Sequence, residues 1–246
     1  MVIIKSAEEI AIMRKCGKIL AAILDKLRME TRPGIRTSQL DVIMAEEAKR
    51  KGVIPSFKGY HGFPANLCVS VNDEIVHGIP GELVLQEGDI VSLDVGAKLN
   101  GFHTDAAITI GLGKISKEAS ELISVTESSL EAGITQVLSG GRVGDISFAI
   151  QHYAESRGFS VVREYTGHGV GRELHEDPQI PNFLVGKGHL LRKGMTLAIE
   201  PMIIAGDWHT KLAPDHWTVL TADGSLSAHF EHTVAITDDD RAEILV

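Results

Sequence analysis

The feature that most constrains this chain is that it repeats itself once. Lys51-Gly52 is matched by Arg157-Gly158, and Leu85-x-x-Gly88-x-x-x-x-Leu93-Asp94 by Leu191-x-x-Gly194-x-x-x-x-Ile199-Glu200, both 106 positions on. His103-Thr104-Asp105 is matched by His229-Phe230-Glu231 at 126. The two acids are 11 positions apart in the first copy and 31 in the second, so a 20-residue insertion between about Gly206 and Asp223 reconciles the offsets. Two copies are too few for a solenoid, whose units need neighbours to bury their apolar faces. Two pseudo-twofold halves closing over one site is the natural alternative.

Each copy reads helix, breaker, helix, glycine, loop, strands. Ser6 with Glu9 forms a capping box. Ile10, Met13, Leu20, Leu24 and Leu27 then carry a helical period to about Glu30, where Arg32-Pro33-Gly34 stops it. A second helix is expected from Thr37 or Ser38 to Lys51, ended by Gly52. The second copy should place helices over Ser116 to about Leu138 and Asp145 to Arg157, separated by Gly140-Gly141. The expected fold is α/β, with two ααββ halves at about 1–112 and 113–246 in one domain. A chain of 246 residues, 43% hydrophobic, is long enough to bury such a core.

The chemistry gathers in Leu85 to Asp105. Ile90 to Val95 has the length and β-branched content of a strand. Asn100-Gly101 favours a hairpin turn. A four-residue loop, Lys98 to Gly101, would pair Ala97 with Phe102 and set Asp94 directly opposite Asp105, with Cβ atoms about 4.5–5.5 Å apart. Alone, this is a hairpin with two solvated acids. With the repeat, two halves bring four carboxylates together: Asp94, Asp105, Glu200 and Glu231. Four carboxylates cannot share a dry cavity uncompensated, and no Lys or Arg stands beside them in the hairpins. Divalent metal, two ions rather than one, resolves the repulsion.

Thr166-Gly167-His168-Gly169 precedes the second acid pair. Glycines flanking a histidine allow close backbone approach, and beside four acids His168 reads as the one nitrogen ligand. His77 and His175 are surplus to that coordination set. They suit hydrogen bonding to a substrate carbonyl or amide; each reads equally well as an ordinary polar loop histidine.

Other classes fit poorly. Net charge is −9 with no basic block, against a role centred on nucleic acid. Cys16 and Cys68 match no metal spacing and suit a reducing compartment. No signal peptide opens the chain, and no apolar run spans a bilayer. A cytoplasmic location is expected.

These residues, in this order, resemble the two-metal site of the methionine aminopeptidases. The surrounding words agree: YHGFPANLCVSVNDEIVHGIP, GDIVSLDVGAKLNGFHTDAA, GHGVGRELHEDP, GMTLAIEPM and HFEHTVAIT. The resemblance runs from about Ile3 to Thr237 and looks like the short, type I bacterial form, since 24 residues between His175 and Ile199 leave no room for the type II insertion.

The resemblance implies a pita-bread fold around a central antiparallel sheet, acting as one catalytic domain over 1–246. It implies metal ligands Asp94, Asp105, His168, Glu200 and Glu231, with Asp105 and Glu231 bridging two ions. The ions would be Mn²⁺, Fe²⁺, Co²⁺ or Zn²⁺. Catalytic roles fall to His77, His175 and Glu200. Substrate contacts fall to Tyr60, His61, Phe63, Cys68, His77, Leu174, His175 and Trp217, with Phe57 near the rim. Asn72 and Ser227 match positions near a monovalent cation. Removal of an N-terminal methionine preceding a small residue follows, from nascent chains at the ribosome, by a monomer that binds neither nucleic acid nor membrane. Met1-Val2 is itself a candidate substrate. The Pro181 to Leu191 connection, with FLVGKGHLL, departs from the family's proline-rich pattern. Proline-specific relatives carry an added N-terminal domain that 246 residues cannot hold, and non-catalytic pita-bread modules lose ligands that are all present here.

Overall fold

In a computed structural model, which describes residues 2–237 and 242–246, the helices start where capping chemistry puts them. Met1, and with it the expectation that Met1-Val2 is a substrate, lies outside the described residues. Helix α1 spans Ala7–Glu30; the Ser6 side chain accepts from the Glu9 amide while the Glu9 carboxylate accepts from the Ser6 amide. Helix α2 is Thr37–Lys51, ended by Gly52 in the left-handed region. Helices α3, Lys117–Ile134, and α4, Val143–Glu155, form the second pair. Helix α4 starts two residues before the expected Asp145 because Asp145 is the third residue of its own cap, accepting from the Arg142 amide. Helix α3 stops short of Leu138: the Gln136 and Val137 amides reach carbonyls three residues back, a tightened last turn.

The strands, in chain order, are β1 Ile54–Pro55, β2 Leu67–Val71, β3 Glu74–Val76, β4 Ile90–Leu99, β5 Phe102–Gly111, β6 Ser160–Val161, β7 Thr166–Gly169, β8 Glu176–Pro181, β9 Thr196–Ile199, β10 Met202–Ile204, β11 Thr210–Leu212, β12 Val219–Thr221, β13 Ser227–His229, β14 Glu231–Ile236 and β15 Ala242–Ile244. The main sheet runs β1-β4-β5-β14-β9-β7-β8, with β2 on β4 and β15 on β14. Its paired strands are antiparallel throughout. This is the pita-bread arrangement expected.

The repeat survives as hydrogen bonds. In the first half the amides of Gly34, Leu85, Thr37 and Ser38 donate to the carbonyls of Leu85, Ile35, Leu83 and Gly81. In the second, Gly140, Leu191, Val143 and Gly144 donate to Leu191, Gly141, His189 and Lys187, every partner 106 positions on. Sequence similarity in a handful of residues therefore marks a shared backbone frame. The insertion forms a hairpin of its own, β11 with β12, which pairs onto β3.

The sheet has a dry back and a polar front. Val91, Leu93, Val95 and Ala97 of β4 join Leu20, Leu24 and Leu27 of α1 in one buried cluster, with Ala106 of β5. Period-two alternation then turns Ser92 and Asp94 of β4, and Asp105, Ala107 and Thr109 of β5, to the front.

The register of this hairpin differs from the four-residue-loop expectation. Leu99 faces Phe102, so the loop is Asn100-Gly101 alone, with φ of 48° and 87°. Two consecutive positive φ values fit a two-residue turn that matches the strands' twist. Asp94 therefore faces Ala107, and Asp105 faces Gly96. The expectation of direct Asp94–Asp105 pairing was wrong by two residues. A shift of two conserves the face, so the acids remain diagonal neighbours on the front, where side chains about 7–8 Å apart still interact.

Candidate active site

Five adjacent strands deliver the polar groups. Asp94 on β4 faces Ala107 on β5, which faces Glu231 on β14. Thr233 of β14 faces Ala198 of β9, which faces His168 of β7. Glu200 stands just past the end of β9. All five side chains share the front face and line one cavity of about 730 Å³.

Ligand atoms of Asp105, His168 and Glu231 lie within 4.8 Å of one another, and all three residues are buried. His168 Nε2 is 3.3 Å from Glu200 Oε1. His168 Nδ1 lies 2.8 Å from the Gly169 carbonyl, which holds the proton on that nitrogen and leaves Nε2 a lone pair. Both flanking glycines answer to crowding, as the sequence suggested. A Cβ on Gly167 would lie 2.5 Å from the Ala198 carbonyl oxygen, and one on Gly169 would lie 2.2 Å from that of Asp177.

Electrostatically the cluster demands a cation. Burial pushes Asp94 up to about 7. Burial, and then neighbouring carboxylates, push Asp105, Glu200 and Glu231 well above the ordinary range. Burial holds His168 neutral, down to about 3. Asp94 Oδ1, Asp105 Oδ1 and Glu231 Oε1 are buried without a hydrogen-bond partner. Among the described residues no lysine or arginine pairs with any of the four acids. Orphaned anionic oxygens around one neutral imidazole fit a divalent cation of the hard-to-borderline kind.

Beside the acids the cavity turns apolar. Phe57, Phe63, Ala65, Cys68 and Leu174 form a buried cluster against Tyr60 and Trp217. Phe63 meets Trp217 edge-to-face at 5.2 Å. Trp217 comes from the loop between β11 and β12, so the second-half insertion closes the pocket.

His77, at φ 60°, also lines the cavity and is held neutral by burial. His175 faces the cavity; burial, followed by His77 and His61, brings it down to about 4. Its ring meets His168 edge-on at 4.2 Å, and its Nδ1 lies 3.1 Å from Tyr60 Oη. His61 sits at φ 47° in the three-residue 3₁₀ turn Tyr60–Gly62. All thirteen residues expected as ligands or contacts, with Phe57, therefore line one chamber. Asn72 and Ser227 meet elsewhere, the Ser227 amide donating to the Asn72 carbonyl.

The chamber wall also holds residues the sequence did not single out: Val76, Tyr165, Thr166, Glu176, Gln179 and Met202. Tyr165-Thr166 directly precedes the glycine-flanked histidine, and Glu176 directly follows His175, so adjacency was an available signal. Glu176 is held by Lys5, whose Nζ lies 2.5 Å away, both side chains almost fully buried. Glu176 also accepts from the Glu173 amide. Arg172 pairs with Glu9 at 2.5 Å. The start of the chain is thus bound beneath the loop that carries Leu174 and His175.

Comparison with known proteins agrees with this geometry. The sequence model of metallopeptidase family M24 matches residues 11–238. The chain is 54% identical to a methionine aminopeptidase of Clostridium perfringens over 96% of its own length and 95% of the relative's. It is 53% identical to methionine aminopeptidase 1 of Bacillus subtilis, over 97% and 96%. The crystal structure of a methionine aminopeptidase from Thermotoga maritima superposes with a TM-score of 0.97 at 50% identity, covering 100% of this chain and 99% of that one. A prolidase from Pyrococcus furiosus shares the fold at 22% identity and a TM-score of 0.81, but the chain covers only 65% of it.

Proposed function

The chain belongs to metallopeptidase family M24, and from its likeness to the methionine aminopeptidases we propose that it removes the N-terminal methionine of polypeptides whose second residue is small. The observation that carries this reading is the junction in one chamber of an anionic, cation-seeking wall and a closed apolar pocket. The pocket takes an unbranched thioether, whose flexible, polarisable chain packs well among Phe63, Cys68, Leu174 and Trp217.

Asp94, Asp105, His168, Glu200 and Glu231 would hold two divalent ions, Asp105 and Glu231 serving both. Bound there, such ions lower the pKa of coordinated water and make hydroxide available near neutral pH. Glu200, its carboxylate facing the same chamber, would take up a proton from the attacking water and pass it on to the departing amine. Neutral His175 donates to the carbonyl oxygen as it gains charge, and His77 contacts the same peptide. Donors aimed at developing charge act chiefly on kcat. The aromatic walls exclude bulk water.

The two halves, about 1–112 and 113–246, act as one catalytic domain. Nascent polypeptide N-termini at the ribosome are the substrate, met by a cytoplasmic monomer; no helix among the described residues is long and apolar enough to cross a membrane. A monovalent cation near Asn72 and Ser227 completes the set.

The test is release of methionine from Met-Ala-Ser beside Ala-Pro-Phe. Chelated protein is reloaded in turn with Mn²⁺, Fe²⁺, Co²⁺ and Zn²⁺. Methionine release with at least one ion, absent from chelated protein, is expected, together with faster cleavage of Met-Ala than of Met-Leu or Met-Lys. Cleavage of Ala-Pro-Phe instead would overturn the reading.

A further inference from the structure

A neutral imidazole carries one ring proton, and the hydrogen bond made by one nitrogen decides whether the other holds it. Only the tautomer with hydrogen on Nε2 lets that atom donate while Nδ1 is engaged. Nδ1 of His175 is engaged: it lies 3.1 Å from the hydroxyl of Tyr60, 115 positions earlier. A phenol keeps its proton at neutral pH and can give it to a bare imidazole nitrogen. Among the described residues His175 Nε2 makes no hydrogen bond, and the backbone of His175 also bonds the Tyr60 hydroxyl. The two rings also meet edge-to-face at 5.2 Å.

Backbone strain points the same way. Tyr60 opens a 3₁₀ turn that follows Gly59 at φ 86° and forces His61 to φ 47°. The Tyr60 amide donates to the Phe57 carbonyl, and the Tyr60 carbonyl accepts from Phe63. A non-glycine residue in the left-handed region persists only where its surroundings fix it. Here that cost fixes one phenol at the edge of the chamber.

We infer that Tyr60, beyond lining the pocket, is the positioning residue that sets the tautomer and ring orientation of His175, its O–H donating to Nδ1 so that Nε2–H faces the substrate carbonyl. This rests on the role of His175 proposed above. Second partners of this kind fix tautomers at other histidine sites.

The test is Tyr60→Phe, which keeps the ring and removes the donor. Loss of one neutral hydrogen bond predicts that kcat on Met-Ala-Ser falls about 3- to 10-fold, with KM within about twofold and bound metal unchanged. The nitrogen-15 spectrum of the metal-free protein reads the tautomer directly. His175 should show a protonated Nε2 in the parent and a mixed population in the variant. In a His175→Ala background, Tyr60→Phe should add nothing. An unchanged tautomer, or an equal kcat loss with and without His175, would overturn the inference. Near-normal turnover of His175→Ala alone would instead overturn the role of His175 on which it rests.

Discussion

Replacing Lys5 with methionine should destabilise this protein more than any exposed substitution. Methionine conserves most of the side chain's volume and removes the charge. What remains is the Glu176 carboxylate, its side chain 3% exposed, accepting from the Glu173 amide. Removing one partner of a buried pair costs about 3–5 kcal/mol, because the surviving charge is neither solvated nor paired. Replacing both partners by uncharged groups of similar shape is often close to neutral. Lys5→Met should therefore lower unfolding free energy by about 3–5 kcal/mol, and Lys5→Met/Glu176→Gln should recover most of it. Urea denaturation of the parent, both single variants and the double variant closes the cycle. The coupling should also appear in turnover, since Glu176 follows His175 directly. A loss below about 1 kcal/mol in Lys5→Met, or additive losses in the double variant, would refute the argument.

Other outcomes follow from the same structure. Burial pushes the Glu74 carboxyl up from 4.5 to about 7, so the folded state binds more protons than the unfolded state between those values and stability falls as pH rises through them. Glu74→Gln should abolish that slope and gain about 1–3 kcal/mol above pH 7, measured by denaturation at pH 5 and pH 8. Mn²⁺ binding to chelated protein should release protons, because raised carboxyls must ionise to coordinate; titration calorimetry in buffers of different ionisation heat reads this, and no buffer dependence would contradict it. Asp105→Asn should lose turnover and weaken both ions, and two tightly held metals would count against a bridging role. Gly167→Ala should push β7 from β9, since its Cβ would lie 2.5 Å from the Ala198 carbonyl oxygen, and should weaken metal binding at unchanged pocket composition.

Local chemistry was legible in the sequence. Ser6 with Glu9 announced α1, Gly52 closed α2, and the 106-residue offset announced a second copy of the same frame. The face of Asp94 and Asp105 was legible because side-chain parity survives a slip of two. The register was not, since Asn100-Gly101 is compatible with loops of two or four residues and only the pairing decides between them. Contacts across the two halves left no local trace. Lys5 and Glu176 lie 171 positions apart, Tyr60 and His175 115. Neither pair has a spacing, period or flanking residue that would single it out, because the distance is closed by sheet topology alone.

The position of β14 also bears on assembly. In the sheet it lies between β5 and β9, yet in the chain it follows every other strand that bears a cavity acid or His168. Were the strands to pair as they are made, the growing polypeptide would hold the sheet as two fragments, each with an unpaired edge facing the gap. Synthesis at about 5–20 residues per second leaves the stretch from Glu200 to Glu231 a few seconds to emerge, with β5 and β9 both open to strand pairing from outside. The insertion hairpin β11–β12 is made in that interval and docks on β3, away from either edge. Insertion of β14 would then join the halves, close both edges and deliver the last carboxylate, so that the chamber and the closed sheet would arise together.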